Sequence, residues 1–184
     1  MIPTTSGTSI LPLQAWIKAN LGQQGWEGVL LRVPAEHAHE LRGILLAQKK
    51  YPTAAFVAAL EAASELDGSA DFFERYGEWA AHYMINAFFR FLLRFKSPGW
   101  VVGRSTRVWR TFHSTGEWKF QVDEGERRMR GELADFAVVN ANYCRVVVGW
   151  WRGAGKLTGA PKPRVEHPHC RARGAPTCVF VGEW

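Results

Sequence analysis

The side chains best suited to chemistry are Cys144, His167, Cys170 and Cys178, carried by VNANYCRVVVGWW and RVEHPHCRARGAPTCVFVGEW. They include all 3 cysteines of the chain. Thiolates and imidazoles are the ligands of tetrahedral zinc, and a closed Cys3His set is a common structural form. The spacing lacks the short Cys-x2-Cys knuckle, so the pattern is less specific than a zinc finger. The bland use of the same residues is packing, with Cys144 a small buried hydrophobe and Cys170 and Cys178 paired or free. No apolar signal segment opens the chain, which points to a reducing, cytoplasmic setting where disulfides are disfavoured. Glu166, His167 and His169 compete for the fourth ligand position. Strand alternation sets Glu166 opposite the two histidines, and Pro168 holds His167 extended.

These residues need a helix and a hairpin to meet. Residues 163–169 and 176–184 read as strands joined by Arg171-Ala-Arg-Gly174-Ala-Pro176, whose Gly and Pro favour a turn. Cys170 and Cys178 then sit at the two ends of one hairpin. A helix over about residues 136–152 carries Cys144, and Gly153-Ala-Gly155 reads as the loop after it. Upstream, Trp118, Phe120 and Val122 alternate with polar residues, and a return strand through Met129, Gly131 and Leu133 completes another hairpin.

The first half reads as helices. Residues 1–7 are expected to be a flexible leader. Helices follow over about 9–21, from Pro34 to about Lys49, and over 53–67, the last ended by Gly68. Val29-Leu-Leu-Arg-Val33 is a short apolar run, and Tyr51-Pro52 breaks the chain. Asp71 is placed to cap the longest helix, about 71–96, and a further helix spans about 99–114 after Pro98. Helices followed by ββαββ make one α+β domain over residues 8–184, with the helices packed on a small antiparallel sheet.

At 184 residues with 47% hydrophobic content, the chain can bury one core. It has no run of eighteen apolar residues, so no membrane span is expected. The net charge of +6 lies in the second half, spread over many elements without a helix-turn-helix or RNA-recognition motif. That distribution favours a solvated basic face, or a face for a protein partner, over nucleic-acid binding. There is no Gly-x-Ser-x-Gly elbow, P-loop, Gly-x-Gly-x-x-Gly helix start or His-Glu-x-x-His, so no enzyme class is indicated. The chain holds 9 Trp, 4 Tyr and 11 Phe, enough to line a cavity for a small hydrophobic or aromatic ligand. Its candidate walls are Trp79, His82, Tyr83, Phe88, Trp109, His113, Trp118 and Phe120.

Leu157-Thr-Gly-Ala160, Val165-Glu-His167, Cys170-Arg-Ala-Arg-Gly174 and Cys178-x-Phe180 resemble the end of 4-vinyl reductase type domains, nearest to a paralogous family of uncharacterised myxobacterial proteins. Gly25-Trp26, Tyr51-Pro52, Tyr76-Gly77, Ser97-Pro98 and Trp109 with Gly116 extend the resemblance along the chain. It implies a pocket enclosed by a small sheet on helices, homodimers, and ligand sensing or assembly. In the input modules of some bacterial activators of this type, three cysteines and a carboxylate hold a structural zinc. Here His167 stands in the carboxylate's place. The haem-nitric-oxide-binding domain is a more distant cousin by architecture. It implies a haem-ligating histidine, for which His113 or His82 would serve, but its Tyr-x-Ser-x-Arg propionate grip is absent, since Tyr143-Cys-Arg145 does not supply it. The related fold of vesicle-tethering subunits implies the competing use, a dimerising scaffold without a pocket.

Overall fold

The computed structural model describes residues 2–85 and 107–184. Residues 4–6, expected within a flexible leader, form a strand. β1 (Thr4–Ser6) pairs antiparallel with β2 (Lys50–Pro52) in the register Thr5↔Tyr51. Three residues are too few to show a period, and the partner is remote in sequence, so nothing local announces this strand. Gly7 then opens α1 (Gly7–Leu21); a Cβ there would lie 2.1 Å from the Leu46 carbonyl oxygen, so only glycine lets the segment before β2 pass.

The run around Val29 is helical, α2 (Gly25–Arg32), and Pro34 starts a short α3 (Ala35–Leu41) that ends well before Lys49. α4 (Thr53–Asp67) stops at Gly68, whose left-handed φ of 74° suits a residue without a Cβ. α5 (Phe72–Met84) begins after Asp71, whose carboxylate accepts from Arg75 Nε at 3.0 Å instead of capping the helix. The continuation expected to about residue 96, Phe88 with it, lies outside the described residues. Of the helix expected over 99–114, residues 107–112 are helical.

β3 (Glu117–Asp123) and β4 (Arg128–Ala134) form the first hairpin. α6 (Ala141–Leu157) follows, then β5 (Arg164–His169) and β6 (Cys178–Glu183), giving an antiparallel sheet of order β3-β4-β6-β5. The α+β architecture with ββαββ order is therefore present. α6 runs through Gly153 and Gly155, where a loop was expected. These glycines serve packing, because a Cβ on Gly153 would come within 2.6 Å of the Glu78 carbonyl oxygen of α5. Gly77 and Gly149 show the same closeness, since a Cβ on either would lie 2.1 Å from a carbonyl oxygen of the facing helix. Arg145 and Glu74 tie the two helices with a forked ion pair at 2.7 and 2.9 Å.

The other face of α6 rests on the sheet. Trp151 lies over Gly131, where a Cβ would meet its ring at 2.5 Å, and its ring centroid is 5.5 Å from Trp118 and 5.6 Å from Phe180. Burying each such ring contributes about 2–3 kcal/mol from removed apolar area. This packing fixes the helix against the hairpin and so fixes where Cys144 points.

Candidate metal centre

Asn140 starts α6: its Oδ1 accepts from the Tyr143 backbone N–H at 2.9 Å, and its Nδ2 donates to Glu61 at 2.8 Å. One turn in, Cys144 faces the β5–β6 hairpin. There a tight turn at Arg171–Arg173, closed by Gly174 at φ 88°, brings Cys170 next to Cys178. Arg173 donates to the His167 carbonyl at 2.8 Å and Arg171 to the Phe136 carbonyl, which pins the turn from both sides.

Cys144, His167, Cys170 and Cys178 each present one ligand atom, and the four atoms lie within 4.8 Å of one another. Cys144 Sγ is 3.7 Å from Cys178 Sγ and 4.0 Å from Cys170 Sγ. All three thiols are buried and free, and these separations are far beyond the roughly 2.05 Å of a disulfide. They match the edges of a tetrahedron around an ion with metal–sulfur bonds of about 2.3 Å, which are about 3.8 Å.

His167, of the three contenders, joins the cysteines. Its Nδ1–H donates to the Val179 carbonyl at 2.9 Å and its ring stacks on Phe180 at 4.2 Å. That hydrogen bond fixes the tautomer that leaves Nε2 with a lone pair, and Nε2 is buried without an assigned hydrogen-bond partner. Glu166 is exposed on the opposite face, as alternation places it, and His169 is exposed as well, because the strand is irregular between Glu166 and His169 and His169 does not follow His167 inward.

The electrostatics favour a thiolate here. A hydrogen bond from Cys144, with support from His167 and the Arg171 backbone N–H, holds Cys178 well below the usual thiol range despite its burial. Cys144 is pushed far up by the same hydrogen bond, by burial and by the neighbouring thiols. Burial opposes charge on His167, but contacts with Cys178 and Cys170 raise it on balance. Three thiols in one dry volume cannot all ionise unaided, and a bound cation is what would allow it.

The expected pocket walls separate into groups. Trp109, His113, Trp118 and Phe120 belong to a packed aromatic cluster in which Trp109 lies tilted against His113 at 4.1 Å and Trp118 stacks on Phe120 at 5.2 Å. Trp79 and Tyr83 stack on each other at 4.9 Å on α5, with Tyr83 exposed and His82 half-buried beside it. The enclosed space next to Phe136 and Tyr143 is about 10 Å³, room for one water and not for an aromatic ligand. Tyr143, not singled out from the sequence, proves central: its hydroxyl lies 3.1 Å from His113 Nε2 in the buried core. Asn140 ahead of an apolar run was the signal that a helix start there would turn Tyr143 and Cys144 inward.

No family model and no curated protein matches the chain. Solved structures do. An H-NOX protein from S. oneidensis in the Fe(II) state aligns with TM-score 0.74 at 15% identity, over 97% of this chain and 95% of that one. The same organism's H-NOX domain in the Fe(II)CO state gives 0.73, 16%, 97% and 97%. An oxygen-binding H-NOX domain related to soluble guanylate cyclases gives 0.67, 11%, 97% and 94%. The fold is that of H-NOX domains. The resemblance to 4-vinyl reductase type domains is overturned by this end-to-end likeness: short turn motifs recur across folds, whereas the full element order discriminates. Zinc as the expected cofactor is overturned with it, since the proteins sharing the fold are iron proteins. Ligand types near one hairpin say nothing of a cofactor held elsewhere.

Haem, which that fold implies, does not suit the described residues. Residues 86–106 contain no His, Cys, Met or Tyr, so an axial ligand would have to come from the described parts. His113 is the buried histidine among the 6, and its Nε2 is already engaged by Tyr143.

Proposed function

We propose that this chain is a non-catalytic signal-input domain of H-NOX architecture, with a four-ligand metal site at Cys144, His167, Cys170 and Cys178 clamping α6 to the β5–β6 hairpin. The observation that carries the reading is the convergence of three buried thiols and the Nε2 of an oriented imidazole within 4.8 Å. Four protein ligands complete a tetrahedron and leave no position for a substrate, so the ion would hold structure and not perform chemistry. The sensor part of the reading is supported by the end-to-end likeness to H-NOX domains, described in Fe(II)CO and oxygen-bound states; likeness of fold alone does not transfer a ligand. No helix among the described residues is long and apolar enough to cross a membrane. The exposed Arg107, Arg110, Arg127 and Arg128 are the part of the basic half through which the domain would meet a protein partner, and self-association as a homodimer belongs to the same proposal.

The test is elemental analysis of the purified protein with thermal unfolding before and after chelation. One metal ion per chain, and a melting temperature that falls when it is removed, support the reading. A metal-free protein whose melting temperature a strong chelator does not change refutes it.

A further inference from the structure

The core around His113 carries a second inference, independent of the thiol cluster. We infer that this chain keeps the H-NOX architecture without taking up haem, because its one buried imidazole is sealed into a hydrogen-bonded aromatic box.

Trp109 lies against the imidazole at 4.1 Å, tilted by 37°, and is itself fixed by donating from Nε1 to the Thr115 carbonyl at 2.9 Å. Phe136 and Tyr143 present their rings edge-on at 5.5 and 6.2 Å. β1 closes another side: Thr5 forms a β-bridge to His113, Ser114 N–H donates to the Thr4 carbonyl at 2.9 Å, and Thr4 N–H donates to Ser114 Oγ at 2.8 Å.

An axial iron needs a nitrogen lone pair with open space in the ring plane. A metal would bind Nε2 at about 2 Å, along the direction now taken by Tyr143 Oη at 3.1 Å. Tyr143 is 6% exposed, with its ring held between Phe56 at 6.2 Å and Phe136 at 5.2 Å, so it cannot swing aside without repacking that core. The other nitrogen, Nδ1, is buried within the same box.

The surroundings are also wrong for the two propionates. The open groove of about 530 Å³ is lined by His113 itself with Arg110, Ser114, Thr115, Glu117 and Asp135, although His113 is only 6% exposed and its Nδ1 is buried. Arg110, the one cation among its described lining residues, is bound to Glu117 at 2.9 Å, which leaves the Asp135 carboxylate to repel further negative charge. Arg145, the arginine nearest in sequence to Tyr143, is committed to Glu74 on the opposite side of α6. His82, half-buried on α5, is the remaining histidine to be tested.

The experiment is a titration of the purified full chain with haemin, and with ferrous haem under carbon monoxide, read by absorption in the Soret region. His82→Ala and His113→Ala are titrated alongside, and a second sample with ¹⁵N-labelled histidine is read by NMR. The expected result is weak, non-saturating absorption equal in all three proteins, with the His113 ring signals of a single neutral tautomer unchanged by haemin. A saturable one-to-one Soret complex of the unmodified chain overturns the inference, whichever residue it depends on, as does loss or broadening of the His113 signals at one equivalent. Neither result alters the metal content read at the thiol cluster, so this inference and the proposed function fail separately.

Discussion

Replacing Gly149 by Ala gives two opposed effects whose sum has a definite sign. On an exposed helix the change would stabilise by about 1 kcal/mol, the propensity difference between the two residues. Here the new Cβ would lie 2.1 Å from the Glu74 carbonyl oxygen and 2.9 Å from its Cα, both backbone atoms that no rotamer change can move. Restoring a contact of about 3.2 Å requires α5 and α6 to part by about 1 Å, which loosens the dispersion contacts along their shared face. Overpacking of this kind costs up to about 3 kcal/mol, so the net loss is about 2 kcal/mol, and the melting temperature of a chain this long falls by about 4–8 °C. The assay is urea and thermal unfolding of both proteins at equal metal loading. Gly28→Ala is the control: its Cβ would meet the Leu66 side chain at an ordinary 3.4 Å, and it should leave stability unchanged or raise it. A Gly149→Ala protein as stable as the parent, or more so, would refute the close-packed helix pair.

Cys170→Ser is expected to abolish metal retention and lower the melting temperature, whereas His169→Ala, on an exposed neighbour, should leave both unchanged; elemental analysis and calorimetry check this. Burial, with a smaller contribution from Lys50, lowers His113 to about 3 from its ordinary 6.5. The unfolded chain therefore binds a proton that the native chain refuses, so this contribution is fully present above about pH 6.5 and is lost as pH falls toward 3, costing about 2 kcal/mol by pH 5. Urea unfolding from pH 7.5 to 5 should show that slope, and His113→Gln should remove it. Arg145 and Glu74 are partly shielded, with side-chain exposures of 38% and 24%, so a double-mutant cycle to Ala should return a coupling of about 1 kcal/mol that shrinks in salt.

What could be read in advance was punctuated or periodic. α4 matches its expected bounds because Pro52 and Gly68 stand at its ends, and β3 and β4 match because apolar and polar residues alternate in both. The four-residue cluster could be read because thiols and imidazole are rare and lay near a turn. Its fourth member could not be decided, because regular alternation puts His167 and His169 on one face, and the irregularity in β5 that separates them has no signature in the sequence. Other errors came from glycines and from remote pairing. Gly153 and Gly155 have the composition of a loop, yet they sit inside α6 because α5 passes too close for a Cβ on Gly153. β1 exists because of β2, some forty-five residues away. Aromatic residues at helical spacing suggested one pocket, but Trp79 and Tyr83 stack on each other while Trp109, His113 and Trp118 pack together in the core. Family assignment failed for a related reason, since local motifs specify turns and only the assembled order of elements specifies the fold.

The most direct test of the central claim is metal-edge X-ray absorption on the metal-replete protein, or absorption spectroscopy after loading with Co(II) as a probe. The structure predicts a four-coordinate shell of three sulfurs and one nitrogen, with strong thiolate-to-cobalt charge transfer that weakens stepwise in Cys144→Ser, Cys170→Ser and Cys178→Ser. An oxygen-dominated six-coordinate shell, or no bound metal at all, would contradict it.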